Sequence, residues 1–377
     1  MSPSEKHTRE IRFCEPWFAP AYANRVRDQI LNGWVGPGPA TSEFAAKLAA
    51  YAGSKYCLLT TSGTVALSVA AVALGLLPGD EILVPAYGVI STINAFAVRG
   101  MRPRLVDIER TTGCMSPADL RTKINPKTRA VCFVNFSGYT GENLVEIARI
   151  CKEKGIPLIE DAACAFGHHH QSRSAGSFGD TGIFSFSVPK IITTGQGGAV
   201  VTDSPDLFEK ALRYIDHGAS NWRKTNLVLH VGTNLRYNDI LASFGLAQLG
   251  EIERRLARKR AAHEALRSVL GDKLYAASDE AAPLHNIVFT PERERLLSFL
   301  RERGIEAADQ YRTVSEHPPY SALRENGYPN ADFWTRHAAY LPFGLALEAD
   351  DARWIGQCVL ESRVPLLSIL KGTAGTP

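Results

Sequence analysis

Short, mostly unbroken apolar runs recur along the first two-thirds of the chain, separated by stretches with helical spacing of apolar positions. The runs lie at Tyr56–Thr60, Glu81–Val84, Arg104–Val106, Ala130–Phe136, Pro157–Glu160, Gly182–Ser187 and Gly198–Thr202. Runs that do not alternate with polar residues predict strands covered on both faces, as in a mostly parallel sheet. Helical spacing marks Ser42–Tyr51, the stretch from Thr64 to about Leu76, Pro117–Ile124, Asn143–Lys154 and Pro205–Tyr214. Gly33–Gly38 and Pro78–Asp80 read as turns. This alternation predicts an α/β domain, a mostly parallel mixed sheet flanked by helices.

The pattern changes near residue 245. Ile252–Leu270 reads as a long charged helix, His285–Thr290 as a strand, Arg293–Arg303 as a helix and Ala338–Phe343 as another short extended piece. The expected organisation is a polar N-terminal arm over residues 1–15, a large domain over 16–245 and a smaller C-terminal α+β domain over 246–377, with Gly372–Pro377 a loose tail. At 377 residues the chain exceeds the size at which one core usually stops growing, which agrees with two domains.

Composition narrows the class without naming a chemistry. Apolar residues make up 45% and charged residues 21%, as in soluble globular proteins. A net charge of +3 with no basic run gives no reason to expect a nucleic-acid partner. The seven cysteines form no CxxC pair and their number is odd, so reduced thiols in a cytoplasmic protein are expected rather than a disulfide framework. The N-terminal residues have no apolar signal core, and no apolar stretch is long enough to span a bilayer. His168-His169-His170 alternate faces on an extended segment, so no metal site is expected there.

Three local features can carry chemistry. Ser62-Gly63-Thr64 stands between a strand and a helix, where free N–H groups and a glycine favour a phosphate; the same residues also make an ordinary helix cap. Asp161 closes a buried strand, where ligands of open α/β sheets bind; its carboxylate there holds either a cationic ligand atom or a structural hydrogen bond. Ser185 and Lys190 follow another buried strand and precede Gly195-Gln196-Gly197-Gly198. A lysine shielded from water becomes a nucleophile toward an aldehyde, whereas a lysine in general is surface charge.

In this order the motifs resemble one family. SGTVAL (Ser62–Leu67), PGDEILVPA (Pro78–Ala86), STINAF (Ser91–Phe96), IEDAA (Ile159–Ala163), GSFGDTGIFSFS (Gly176–Ser187), GQGGAVVT (Gly195–Thr202) and TNLRYNDILA (Thr233–Ala242) are similar to the DegT/DnrJ/EryC1/StrS group of sugar aminotransferases. The resemblance runs from Gly33 into the C-terminal domain and implies the aspartate-aminotransferase fold, fold type I of the enzymes that use pyridoxal 5'-phosphate (PLP). It implies that Lys190 carries PLP as a Schiff base and shuttles a proton, and that Asp161 pairs with the ring nitrogen. Ser62, Gly63, Thr64 and Ser185 then hold the phosphate. Asn234 is similar to the asparagine that reaches the phosphate of the neighbouring subunit, which implies a homodimer. The implied reaction passes an amino group from an amino acid, L-glutamate, to a keto-sugar on a nucleotide; a cyclitol or keto acid sugar acceptor, or a non-catalytic PLP-binding sensor, are the other readings. Sugar dehydratases of the group carry histidine at the cofactor lysine, so Lys190 favours transamination.

Two positions depart from the family. An aromatic ring usually stacks on the cofactor where this chain has Val89; Tyr87, two residues earlier, would face the same way if the segment is extended. Glutamine or histidine near the cofactor's phenolic oxygen is replaced by Cys164. The acceptor pocket is expected to draw on Ala308–Tyr320, with Tyr311, Arg312 and His317 as candidates.

Overall fold

The computed structural model describes residues 10–218, 227–228, 230–276 and 283–369; the tail at Gly372–Pro377 lies outside them. Strands β1 (Tyr56–Thr60), β2 (Glu81–Pro85), β3 (Arg102–Val106), β4 (Thr128–Val134), β5 (Leu158–Asp161), β8 (Thr181–Ser185) and β9 (Gly198–Thr202) form one sheet in the order β1-β9-β8-β5-β4-β2-β3. The five strands from β8 to β3 are parallel; β9 runs against both β8 and β1. Strands β6 (His169–His170) and β7 (Arg173–Ser174) make a two-residue hairpin beside it. The central strands are buried along nearly their whole length, which is why they carry unbroken apolar runs rather than alternation.

Helices α1 (Pro20–Leu31), α2 (Pro39–Ala52), α3 (Gly63–Ala73), α4 (Ile90–Ala97), α5 (Pro117–Lys123), α6 (Glu142–Lys154), α7 (Pro205–Ile215) and α8 (Asp239–Leu249) accompany the sheet. Two strands end earlier than their apolar runs. The run Ala130–Phe136 leaves the sheet after Val134, because Ser137 takes a left-handed turn with φ 55°. The run Gly182–Ser187 leaves after Ser185, and the chain then turns so that the Lys190 N–H bonds the Ser187 carbonyl at 3.1 Å.

Beyond α8 come α9 (Ile252–Leu270), α10 (Arg293–Arg301), α11 (Pro329–His337) and α12 (Ala349–Glu361), with an antiparallel pair, β10 (Asn286–Phe289) and β11 (Ala338–Leu341). The boundary expected near residue 245 falls within α8. The arm is tied down where it is described: Ile11 pairs with Ile305 and is buried, and the Phe343 N–H bonds the Phe13 carbonyl. Tyr87 and Phe136 from the large sheet pack on Trp334, and Trp334 on Tyr275 and Phe289, so the two parts share a continuous aromatic core.

Among the described residues, no helix is long and apolar enough to cross a membrane.

Candidate active site

The register of the sheet gathers the chemistry at one edge. Val134 pairs with Asp161, Asp161 with Ile183, and both Ser185 and Thr60 pair with Gly198. The carboxyl ends of β1, β4, β5 and β8 therefore open together, beside the start of α3. Ser62 caps that helix by accepting the Val65 N–H at 3.1 Å. Gly63 follows because nothing larger fits: a Cβ there would stand 2.8 Å from the Cβ of Ser185. Glycine at 198 has the same cause, since a Cβ would come within 2.5 Å of the Ser62 carbonyl.

Asp161 is buried at the end of β5. Its Oδ2 accepts the Thr92 hydroxyl at 2.8 Å and its Oδ1 the Ala163 N–H at 3.2 Å. Burial pushes its carboxyl above the ordinary range, while those two hydrogen bonds and the Lys190 ammonium pull it back. The Lys190 Nζ donates to the Cys164 Sγ at 3.2 Å, and both residues are half-buried rather than enclosed. A cavity of about 380 Å³ opens between these groups. Ser62, Gly63, Thr64 and Ser185 form one end; Asp161, Cys164 and Lys190 lie around the rest, and Val89 adds an apolar wall.

Other candidates lie elsewhere. Tyr87 does not line the cavity. Its ring is buried in the aromatic core and its hydroxyl is 2.7 Å from that of Tyr340. The alternation that would have turned it toward Val89's side is broken by Gly88, whose φ is 139°. Asn234 is exposed outside the cavity, its Oδ1 accepting from Arg236 at 3.0 Å. Tyr311 packs in the aromatic core with its hydroxyl 3.2 Å from the His285 Nε2. Arg312 is exposed and faces Asp309 at 3.2 Å and Glu316 at 3.8 Å, and His317 lies half-buried in the following turn; neither reaches the cavity. His168 is buried against Gly138 while His169 faces solvent, so adjacent histidines point apart.

Thr92 and Ser187 line the cavity without having been singled out in the sequence. The quoted STINAF stretch contains Thr92, but only the start of α4 at Ile90 shows that its side chain meets Asp161. A larger depression of about 760 Å³ lies at the far end of β5, around Arg149, Lys152 and Asp180, away from all of these groups.

Comparison with known proteins places this geometry. The chain is 30% identical over 346 residues to a GDP-perosamine synthase of Vibrio cholerae, covering 89% of this chain and 94% of that protein. It is 28% identical to a dTDP-4-dehydro-2,3,6-trideoxy-D-glucose 4-aminotransferase of Saccharopolyspora spinosa, covering 92% and 94%. The crystal structure of the aminotransferase TlmJ from Streptoalloteichus hindustanus superposes with a TM-score of 0.87 at 28% identity, covering 93% of this chain and 98% of that one. The profile of the DegT/DnrJ/EryC1/StrS aminotransferase family matches residues 19–360, so the chain belongs to that family and is a transaminase.

Proposed function

We propose that the protein transfers an amino group from an amino acid, L-glutamate, to a keto-sugar carried on a nucleoside diphosphate, with PLP held in the cavity at the carboxyl edge of the sheet. One observation carries this reading: an amine (Lys190), a buried carboxylate (Asp161) and a glycine-made cradle at a helix start open on the same cavity. The two relatives, named for a GDP-linked and a dTDP-linked sugar, support a nucleotide-linked acceptor.

The residues present fit PLP. The cradle at Gly63 and Ser185 suits a phosphate at the start of α3, where N–H groups and the helix dipole favour an anion. Asp161 has a charge to match against a protonated ring nitrogen, and Lys190 offers the amine that holds the aldehyde. PLP supplies that aldehyde and the electron sink that lets the carbon beside the nitrogen lose its proton. The protein's part is orientation and proton movement. The turn at Ser187–Lys190 places the lysine backbone after β8, and the Nζ, against the Cys164 Sγ, would take the proton from the donor's carbon in the first half-reaction and give one to the acceptor's carbon in the second. Cys164 touches that amine and orients it. Val89 closes one wall without the ring that the family usually places there.

A homodimer belongs to this reading. Asn234 is exposed outside its own chain's cavity, available to a neighbouring one, and Leu31, Trp34 and Val231 are large apolar side chains left in solvent.

The test is spectroscopic. The protein reconstituted with PLP should change its absorbance on adding L-glutamate, and the resulting amine form should revert with one of a panel of GDP- and dTDP-linked keto-sugars. Lys190→Ala should lose turnover and the amine-dependent change; full turnover in that variant would sink the assignment. Reversion with a cyclitol alone would overturn the nucleotide-sugar acceptor.

A further inference from the structure

A carboxylate that faces a cationic ring must stay ionised in a place that disfavours charge. Asp161 meets that difficulty directly: burial raises its carboxyl, and the largest opposing contribution is the hydrogen bond from Thr92. Thr92 has little else to do. It sits in the first turn of α4, its N–H bonds the Val89 carbonyl at 3.1 Å, and its hydroxyl donates to Asp161. A threonine on a helix divides between two side-chain rotamers, and the 2.8 Å bond to Asp161 selects one of them. Helix α4 is itself tied to its neighbours: Ser68 donates to the Ala95 carbonyl at 2.8 Å, and the Tyr320 hydroxyl to the side-chain Oδ1 of Asn94.

Each oxygen of Asp161 therefore has one protein donor, Thr92 on Oδ2 and the Ala163 N–H on Oδ1. A carboxylate oxygen has room for a second. Asp161 lines the cavity, so what remains is offered there. Resting on the reading of the cavity as a PLP site, we infer that Thr92 is a positioning residue for the cofactor: its hydroxyl fixes the orientation of the Asp161 carboxylate and keeps it an acceptor for the ring nitrogen. A protonated Asp161 could not fill that role, because it would meet a protonated ring with a proton of its own. The other charged or titratable groups acting on or sensing Asp161 are Lys190, after β8, and Cys132 of β4, whose thiol burial keeps protonated.

The experiment compares Thr92→Val with Thr92→Ser. The first keeps the shape and loses the hydroxyl; the second keeps the hydroxyl. PLP is titrated into the cofactor-free protein and followed by absorbance across a range of pH, with melting of each cofactor-free variant as a control. Thr92→Val should bind PLP roughly ten- to a hundredfold more weakly, the range for a hydrogen bond to a charged group. Its acid limit for binding should move to higher pH, because Asp161 then takes its proton sooner. Thr92→Ser should stay near the parent in both. If Val binds like the parent with the same pH profile, or if Val and Ser lose affinity alike, Thr92 only packs and the inference fails while the PLP site stands. If the parent itself takes up no PLP, both fall.

Discussion

Gly63 stands where α3 begins, and its missing side chain is what lets the helix start against Ser185. A Cβ would come within 2.8 Å of the Ser185 Cβ and 3.1 Å of its Oγ. Overpacking of this kind costs about 1–3 kcal/mol. Gly63→Ala is therefore expected to loosen PLP binding and lower the melting temperature, and Ser185→Gly in the same chain should recover much of the stability by removing the colliding atom. Unchanged melting and cofactor affinity in Gly63→Ala would mean that the close approach is absent in solution. At this scale the sequence is legible where a residue type is rare in its setting. A glycine at a helix start, a strand-end aspartate and a lysine between two buried strands stand out in that way. Thr92 does not, because threonines are common and its role comes from a register with Asp161 that only the fold reveals. Tyr87 misled for a related reason: period-two reasoning holds along an extended chain, and Gly88 leaves that conformation one residue later.

The loop at Gly176–Asp180 shows how a neighbouring element supports the site. Glu160 precedes Asp161 on β5 and points to the opposite face, fully buried. Its two oxygens accept the N–H groups of Gly176 and Phe178, each at 2.7 Å, which pins the loop to the sheet just before β8. Burial pushes the carboxyl up to about 7, against the pull of those same N–H groups. A glutamine has one acceptor oxygen and a donor NH₂, so Glu160→Gln leaves one backbone N–H facing another donor. The expected cost is about 1–3 kcal/mol, read as a lower melting temperature and, because β8 carries Ser185, weaker PLP binding. An unchanged melting temperature would show that the loop is held by other contacts. Element by element, strands were read well because burial on both faces leaves an unbroken apolar run. Helices are less evenly legible: α3 (GTVALSVAAVA) is expected from its run although it is apolar almost all round, whereas α1, α11 and α12 carry polar residues on one side and are not among the expected helices. Helix α8 (DILASFGLAQL) is apolar almost all round and gives no helical period, and α4 is eight residues long with β-branched residues in it.

Across the whole molecule, the α/β sheet and the smaller second sheet were legible as two textures of sequence, but their union was not, because aromatic contacts such as Tyr87 with Trp334 join residues far apart in the chain. A buried cluster of titratable groups, none of them lining the cavity, lies close enough to Lys190 for that lysine's charge to act on His285 and Cys14. Lys259 of α9 is buried with its Nζ on the Phe343 carbonyl at 2.5 Å. Burial brings its ammonium down to about 7, opposed by Cys14. Its charge in turn acts on His168, His263 and His285. Burial lowers the first two to about 4 and the third well below its ordinary value. The unfolded chain keeps Lys259 near 10.5, so from pH 7 upward it binds a proton that the folded protein has released, and stability rises with pH. The buried thiols Cys57 and Cys114, pushed up to about 12, reverse the sign above their unfolded value of 9.0, where the unfolded chain loses protons that the folded one keeps. The window for Lys259 is thus pH 7 to 9. Denaturant midpoints across that window should rise in the parent and rise less, or stay flat, in Lys259→Met, which keeps a side chain of similar length and removes the amine. The two proteins should converge toward the alkaline end, with Lys259→Met the more stable near neutrality, where burying the amine costs most. Parallel slopes would show that Lys259 keeps its proton in the folded state, and that the cluster holds a charge rather than excluding one.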